Sequence, residues 1–174
     1  MTKPVYILGL AYSGNHESAV ALLKDGVIIE AFEEERFTRV KFDRSFPSHS
    51  IAFCLEKAGI TIHDISHAGF FWRPWHGIAK RIFYAVVGLP YSLSRSGHNA
   101  GIIFDLISAE RVFRRETGYA GSFHFIEHHL THAASSFFSS PFEKAAILSI
   151  DGAGETTTCW IGKGDNTTLT NYKK

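Results

Sequence analysis

The 174-residue sequence predicts a mixed α/β fold, built as one lobe and the beginning of a second. Two observations predict it. Three strand-like segments at the start are followed by helical and strand-like segments in alternation, which is typical of a mixed sheet with helices packed on it. Near the end, a strand, a polar loop containing glycine, a strand, a tight turn and a strand repeat the order of the opening segments.

The first segments form a meander of three strands and then a helix. Apolar runs predict strands over residues 5–10, 18–23 and 27–32. Gly26 marks a tight hairpin turn between the second and third of them, because glycine tolerates positive φ. Pro47 and Ser48 open the helix, whose apolar side chains are spaced for one buried face, and Gly59 suits its C-terminal cap.

The remaining elements alternate until the second meander begins. We predict strands at 68–72 and 122–126, helices at 102–117 and 129–139, and closing strands at 145–150, 156–161 and 167–172, with a turn at 162–166. Residues 73–100 mix aromatic and basic side chains with Gly and Pro, and we interpret them as an insertion with a short amphipathic helix.

Two lobes with the same beginning are typical of the actin-like ATPase (ribonuclease H-like) fold. In that interpretation residues 1–144 form the first lobe and residues 145–174 begin the second, which stops unfinished, so we expect a truncated chain.

Composition excludes several classes of partner. Hydrophobic residues make up 45% of the chain, charged residues 20%, and the formal net charge is +1, so bulk electrostatics attracts neither nucleic acid nor membrane. No apolar run reaches the roughly 18–20 residues that a membrane span needs. Cys54 and Cys159 lie far apart, which favours free thiols in a reducing compartment. We expect a cytoplasmic protein with no nucleic-acid or membrane partner, and leave a homodimer open.

A histidine-rich segment, Glu127-His128-His129-Leu130-Thr131-His132, is the sharpest chemical feature. Residues four apart share one face of a helix, so His128 and His132 can bind one metal ion through their imidazoles. His129 points elsewhere and is interpreted as a supporting or surface group. The alternative is a surface helix that happens to be rich in histidine, and we favour the ligand pair.

Asp151 ends an apolar strand and opens the sequence Asp151-Gly152-Ala153-Gly154. A carboxylate at a strand end can reach a metal, and glycines allow backbone N–H groups to approach a phosphate. This assigns Asp151 to the metal with His128 and His132, and Gly152 and Gly154 to a phosphate-bearing cofactor. The alternative is an ordinary hairpin turn.

Two earlier polar segments are weaker candidates. His16 lies in the loop between the first two strands, where it would be a general base or belong to an ordinary polar hairpin. Arg36, Arg39 and Lys41 lie in a mixed-charge segment after the third strand. Such segments are usually solvated surface, but these side chains would alternatively clamp an anionic substrate.

In this order, the four features resemble the O-carbamoyltransferase family of the nodulation and antibiotic-biosynthesis type. The resemblance rests on residues 7–10, 16–26, 34–39, 128–133 and 149–152. The chain departs from the family at Lys41-Phe42-Asp43, since family members often have histidine after the lysine. The resemblance therefore assigns no role in anion or acceptor binding to that position.

The resemblance implies a domain that binds metal and nucleotide, similar to the universal tRNA-threonylcarbamoylation protein. It also implies a carbamoyl-adenylating domain, absent from this chain, that makes carbamoyl adenylate from ATP and carbamoyl phosphate. His128, His132 and Asp151 would bind a divalent ion, iron in the family, that holds the adenylate phosphate. His16 would be the general base for the hydroxyl of a small-molecule acceptor.

Two rival functions remain. The chain would alternatively belong to another actin-like ATPase or sugar kinase, in which the glycines bind phosphate and the histidines are incidental, or to a metal-binding module without catalysis. If the chain is instead part of an O-carbamoyltransferase, further metal and nucleotide ligands lie beyond Lys174. We therefore expect the chain alone to bind metal weakly and not to turn over.

Overall fold

A computed structural model describes residues 3–13, 16–87, 93–152, 154 and 158–172. The strands are β1 (Tyr6–Ala11), β2 (Ala19–Lys24), β3 (Val27–Glu33), β4 (Ile65–Phe70), β5 (Ser122–Phe125), β6 (Lys144–Ile150), β7 (Cys159–Asp165) and β8 (Thr168–Asn171). The helices are α1 (Glu35–Thr38), α2 (Ser48–Ala58), α3 (Ile78–Val87), α4 (Leu93–Thr117) and α5 (His128–Phe138), with a 3₁₀ turn at Ile62–Asp64.

The chain divides into two compact units. The first contains Met1–Phe71 and Gly88–Phe125, and the second contains Trp72–Val87 and Ile126–Lys174. The predicted lobe boundary at residue 144 stays a prediction.

The first unit is a five-stranded mixed sheet with the order β3-β2-β1-β4-β5. β1 to β3 pair antiparallel, whereas β4 is parallel to β1, and β5 is parallel to β4. The three-strand meander recurs in the second unit as the sheet β6-β7-β8, with antiparallel pairs throughout. The predicted mixed α/β class is therefore confirmed, and the actin-like assignment of its two lobes stays a prediction.

Alternation along the strands places the core of the first unit on one face of its sheet. Leu8 lies beside Leu22 on one side and Ala68 on the other, and all three are fully buried. Successive side chains of a strand point to opposite faces of the sheet, so every second residue of these strands faces this core. Tyr12 links the end of β1 to α4, because its buried hydroxyl donates to the carbonyl of Ala109 at 2.7 Å.

The second unit is held together by α5 packed on its sheet. The buried residues are Ala133, Phe137, Ile147 and Trp160, with Leu130, Ala145 and Leu169 partly buried against them.

The predicted turn at 162–166 is wrong, because β7 continues through both glycines and the turn begins only at Asn166, which has positive φ. A Cβ on Gly164 would lie 2.5 Å from the Phe137 ring, and one on Gly162 would meet the Thr170 carbonyl. These glycines permit close packing within a strand.

Residues 73–100 contain more helix than the sequence predicts. The expected short helix is α3, but α4 begins at Leu93 rather than at 102, and residues 88–92 lie outside those that the structure describes. β4 ends at Phe70, two residues before the predicted end. Within the described residues, no helix is both long and apolar enough to cross a bilayer. Cys54 and Cys159 are free thiols.

Glu34 is buried, although the sequence suggested a solvated segment there. Its carboxylate accepts backbone N–H groups from His49 at 3.0 Å and Ser50 at 2.8 Å, and the Ser50 hydroxyl at 2.7 Å. His49 Nδ1 lies 2.7 Å away. Pro47, which precedes α2, has no side-chain oxygen to cap the helix. The carboxylate of Glu34 therefore satisfies the first N–H groups of α2.

Glu34→Gln is expected to lower the free energy of unfolding by about 1–3 kcal/mol at neutral pH, because it leaves buried donors facing an amide. Burial raises the pKa of Glu34, but the hydrogen bonds from Ser50 and His49 lower it more, to below its ordinary value of 4.5. The wild type should therefore lose this stabilisation as pH falls below 4.5, and the variant should not. Urea unfolding across pH measures both effects.

The matched control is Glu33→Gln, since Glu33 is half exposed and pairs with the exposed Arg36. It should change stability by less than about 0.5 kcal/mol. Equal losses for the two variants would contradict the assignment of Glu34 as the cap of α2.

Candidate metal centre

The first turn of α5 places two imidazoles side by side. The helix begins at His128 because Glu127 has an extended backbone and its carbonyl accepts the N–H of Thr131 at 3.1 Å. His128 and His132 are therefore one helical turn apart on the same face. Their Nε2 atoms lie 3.1 Å from each other.

Asp151 follows β6 directly and completes a three-residue cluster. Its Oδ2 lies 2.7 Å from Nε2 of His128 and 3.3 Å from Nε2 of His132. The Gly152 N–H donates to Oδ1 at 2.6 Å and holds the carboxylate in place. The three ligand atoms lie within 4.8 Å of one another. Two imidazole nitrogens and one carboxylate oxygen are a donor set that suits zinc and divalent iron, so these residues fit a metal ion.

The cluster is closed on one side and open on the other. The side chain of His128 is only 2% exposed, whereas that of His132 is 47% exposed. The ring of Trp72 packs against His128 with a centroid separation of 4.8 Å. A wall on one side and an accessible position on the other are typical of catalytic rather than structural metal sites. Sequence reasoning missed Trp72, since it treated this residue only as part of a buried strand.

Asp151 is held in its ionised form. The hydrogen bond from His128 is the main cause, and it lowers the pKa of Asp151 to about 2 despite partial burial. The Gly152 N–H and the charges of the two histidines act in the same direction. At neutral pH the carboxylate is consequently an acceptor or ligand.

His129 is not the surface residue that the sequence allowed. It is completely buried, and its ring centroid lies 5.4 Å from that of His128. Within the residues that the structure describes, neither of its ring nitrogens has a hydrogen-bond partner. The residue therefore lies beside the cluster, inside the second unit.

Gly152 and Gly154 lie in the connection between β6 and β7, an antiparallel pair. This connection thus belongs to a hairpin and at the same time carries the Asp151 carboxylate. The Gly152 N–H is engaged with Asp151, and Gly154 is partly buried. Ala153 and residues 155–157 lie outside the described residues.

Comparison with known proteins identifies the family. A family model for the carbamoyltransferase N-terminus matches residues 6–95 and 97–173. The chain belongs to the carbamoyltransferase family. The resemblance found in its motifs is therefore confirmed.

The curated relatives are much longer than this chain. It is 37% identical over 174 residues to the uncharacterised protein sll1178 of Synechocystis, and 30% identical over 154 residues to nodulation protein NolNO of Sinorhizobium fredii. These alignments cover 94% and 87% of the chain but 28% and 22% of the relatives. The carbamoyltransferase chain thus spans about a quarter of their length.

Two solved structures from Pseudomonas aeruginosa are also similar. They are YeaZ, with a TM-score of 0.47 and 12% identity, and an uncharacterised protein with similarity to peptidase YeaZ, with a TM-score of 0.49 and 11% identity. Each match covers 98% of the carbamoyltransferase chain, and 65% and 64% of the respective structures. Likeness at this level says nothing about activity.

In the first unit of this carbamoyltransferase chain, His16 lies in the connection between β1 and β2. It is partly buried and meets the ring of Phe71 edge-on, at a centroid distance of 5.0 Å. Two residues later, Ser18 donates its N–H to the Asp43 carbonyl at 2.8 Å and its hydroxyl to the Ser45 carbonyl at 2.5 Å. The end of the His16 loop is therefore fixed to the segment that follows α1. Gly14 and Asn15 lie outside the described residues.

The basic residues near α1 are on the surface. Arg36 is 69% exposed and pairs with Glu33 at 3.3 Å, and Arg39 ends α1 with positive φ. In the same part of the chain, the Thr38 hydroxyl donates to Asp43 Oδ2 at 2.6 Å, and Asp43 Oδ1 accepts the Ser45 N–H at 2.8 Å. Sequence reasoning selected the arginines and missed this polar framework.

His128→Ala is expected to raise the pKa of Asp151 from about 2 towards its ordinary value of 3.8, because the main hydrogen bond is lost. Since the folded pKa is the lower one, the interaction stabilises the fold above pH 3.8 and is lost as pH falls towards 2. Carboxyl-detected NMR titration of the metal-free protein measures the pKa directly. His132→Ala is the control and should produce a smaller rise, and an unchanged pKa in His128→Ala would refute the account.

Proposed function

We propose that this chain is the metal-bearing part of an O-carbamoyltransferase. In this reaction a carbamoyl group passes from carbamoyl phosphate, through carbamoyl adenylate made with ATP, to a hydroxyl group of a small-molecule acceptor. The observation that carries the proposal is the cluster of His128, His132 and Asp151 in a chain of the carbamoyltransferase family.

The three clustered residues would hold a divalent ion, which the family resemblance suggests is iron. When bound, such an ion supplies Lewis-acid chemistry and a template for phosphate charge. Asp151 is suited to this because it is ionised at neutral pH and its orientation is fixed by the Gly152 N–H. The exposed edge of His132 leaves room for a substrate oxygen.

Phosphate and proton handling would fall to other residues. Backbone N–H groups at Gly152 and Gly154 are candidates for the adenylate phosphate, and the exposed Arg36 and Arg39 for anionic substrate groups. His16 would accept the proton of the acceptor hydroxyl as that oxygen attacks the carbamoyl carbon. The hydrogen bonds of Ser18 support this role, since a base must be held within reach of the proton it removes.

The repeated meander also favours a rival, an actin-like ATPase or sugar kinase in which the histidines are incidental. Such a protein would bind Mg-ATP whether or not His128 and His132 are present. A metal-binding module without catalysis would bind the ion but no nucleotide.

Metal binding separates these candidates. We expect the 174-residue protein to bind one Fe²⁺ at this cluster, measured anaerobically by metal analysis and calorimetry, and we expect His128→Ala and His132→Ala each to weaken it at least about 10-fold. His63→Ala, which removes an exposed histidine elsewhere, should leave the affinity unchanged. If all three variants bind equally, the cluster is not the metal centre. An affinity for Mg-ATP that is unchanged by His128→Ala and His132→Ala would support the kinase.

His16→Ala tests the proposed base in an enzyme of the relatives' full length that contains this chain. Adenylate formation from ATP and carbamoyl phosphate should continue, while transfer to the acceptor should fall by about 10²–10⁴-fold. Pyrophosphate release and carbamoylated product measure the two steps separately. Normal transfer in this variant would remove the assignment of His16 without affecting that of the metal centre.

A further inference from the structure

We propose that His67 and His124 form a second binding site, for a divalent transition-metal ion, on the sheet of the first unit. Nδ1 of His67 lies 3.1 Å from Nε2 of His124, with ring centroids 5.2 Å apart. Both side chains are exposed, so an ion and its water ligands can reach them. The site belongs to a different unit from the His128 cluster and does not depend on it.

The register of two parallel strands creates this pair. β4 and β5 align His67 with Ser122 and Gly69 with His124, so the histidines are diagonal neighbours on one face. The adjacent Ala68 and Phe70 point the other way and are fully buried, which fixes β4 in the sheet. The rings are therefore brought together by the backbone, and their approach requires no rearrangement of the strands.

The separation of the two nitrogens matches shared coordination. Nitrogens that each lie about 2.0–2.1 Å from one zinc ion are roughly 3 Å apart. The same separation suits a hydrogen bond in which one ring donates its N–H to the other. On binding, the donating ring moves its proton to its other nitrogen, so the pair can exchange a shared proton for a shared metal without net proton release.

The donor set selects the class of ion. Two imidazoles favour Zn²⁺, Ni²⁺ and Cu²⁺ over Mg²⁺ and Ca²⁺, which prefer oxygen ligands. Within the described part of the chain, no third His, Cys, Asp or Glu joins the pair, so water completes the coordination. β5 is the edge strand of the sheet and pairs with β4. An ion bound here would therefore link the edge strand to its neighbour and stabilise the folded state.

Titration of the 174-residue protein with Zn²⁺ alone tests the site, with histidine ring signals followed by long-range ¹H–¹⁵N NMR. The background is His132→Ala, an exposed position whose loss weakens the other cluster without disturbing the core. The ring signals of His67 and His124 should shift together and saturate. In the same background, His67→Ala or His124→Ala should weaken this binding at least about 10-fold, because one imidazole loses the chelate.

His63→Ala is the matched control, since it removes an exposed histidine of the first unit and should leave the affinity unchanged. Zn²⁺ should also raise the melting temperature in the His132→Ala background, and adding His124→Ala should abolish that rise. The proposal is overturned if the two ring signals stay still at saturating Zn²⁺, or if His63→Ala weakens binding as much as His67→Ala. Neither result bears on Fe²⁺ at the His128 cluster, which is tested by its own variants.

Discussion

Phe137 lies against β7 at the position where Gly164 leaves no side chain, and this contact determines how close α5 can come to its sheet. A Cβ at Gly164 would lie 2.5 Å from the Phe137 ring. With the helix seated through Phe137 and Ala133, its periodicity leaves His128 and His132 together on another face. β6 packs against the same helix and continues directly into Asp151. The ligand atoms of the candidate metal centre therefore depend on a packing contact that contains no polar atom.

Hydrogen bonds then orient the side chains that this packing brings together. Asp151 lies beside the first turn of α5, where the helix dipole favours a negative charge, and it accepts a short hydrogen bond from His128. This bond orients the two side chains at the positions that a cation needs. Binding would require His128 to present Nε2 without its proton, so the same bond competes with the ion while organising its site. The hydrogen bond thus orders the side chains for a cation, but its proton occupies the nitrogen that the cation would bind.

Local sequence rules were sufficient to predict the cluster of His128, His132 and Asp151 and most of the helices and strands. They could not predict features that depend on long-range packing. The spacing of His128 and His132 and the strand-end position of Asp151 are local features, and the family motifs support them. Burial of Glu34 depends on the approach of α2 to the end of β3, which no periodicity reveals. The same limit explains the wrong turn at 162–166, because a glycine that permits close packing has the same sequence signal as one that permits a turn. The atoms that each glycine faces distinguish the two roles: the Phe137 ring for Gly164 and the Thr170 carbonyl for Gly162.

The repeated meander accounts for where the reactive candidates occur. His16 lies in the connection between the first two strands of one meander, and Asp151 opens the corresponding connection of the other. Polar connections of this kind lose conformational entropy when they are ordered, and each is held by hydrogen bonds to a neighbouring element of its own unit. In the first unit Ser18 bonds to Asp43 and Ser45, and in the second Asp151 bonds to His128. The same topological position is thus anchored twice, at Ser18 by its hydroxyl and backbone N–H and at Asp151 by the carboxylate of the candidate metal centre.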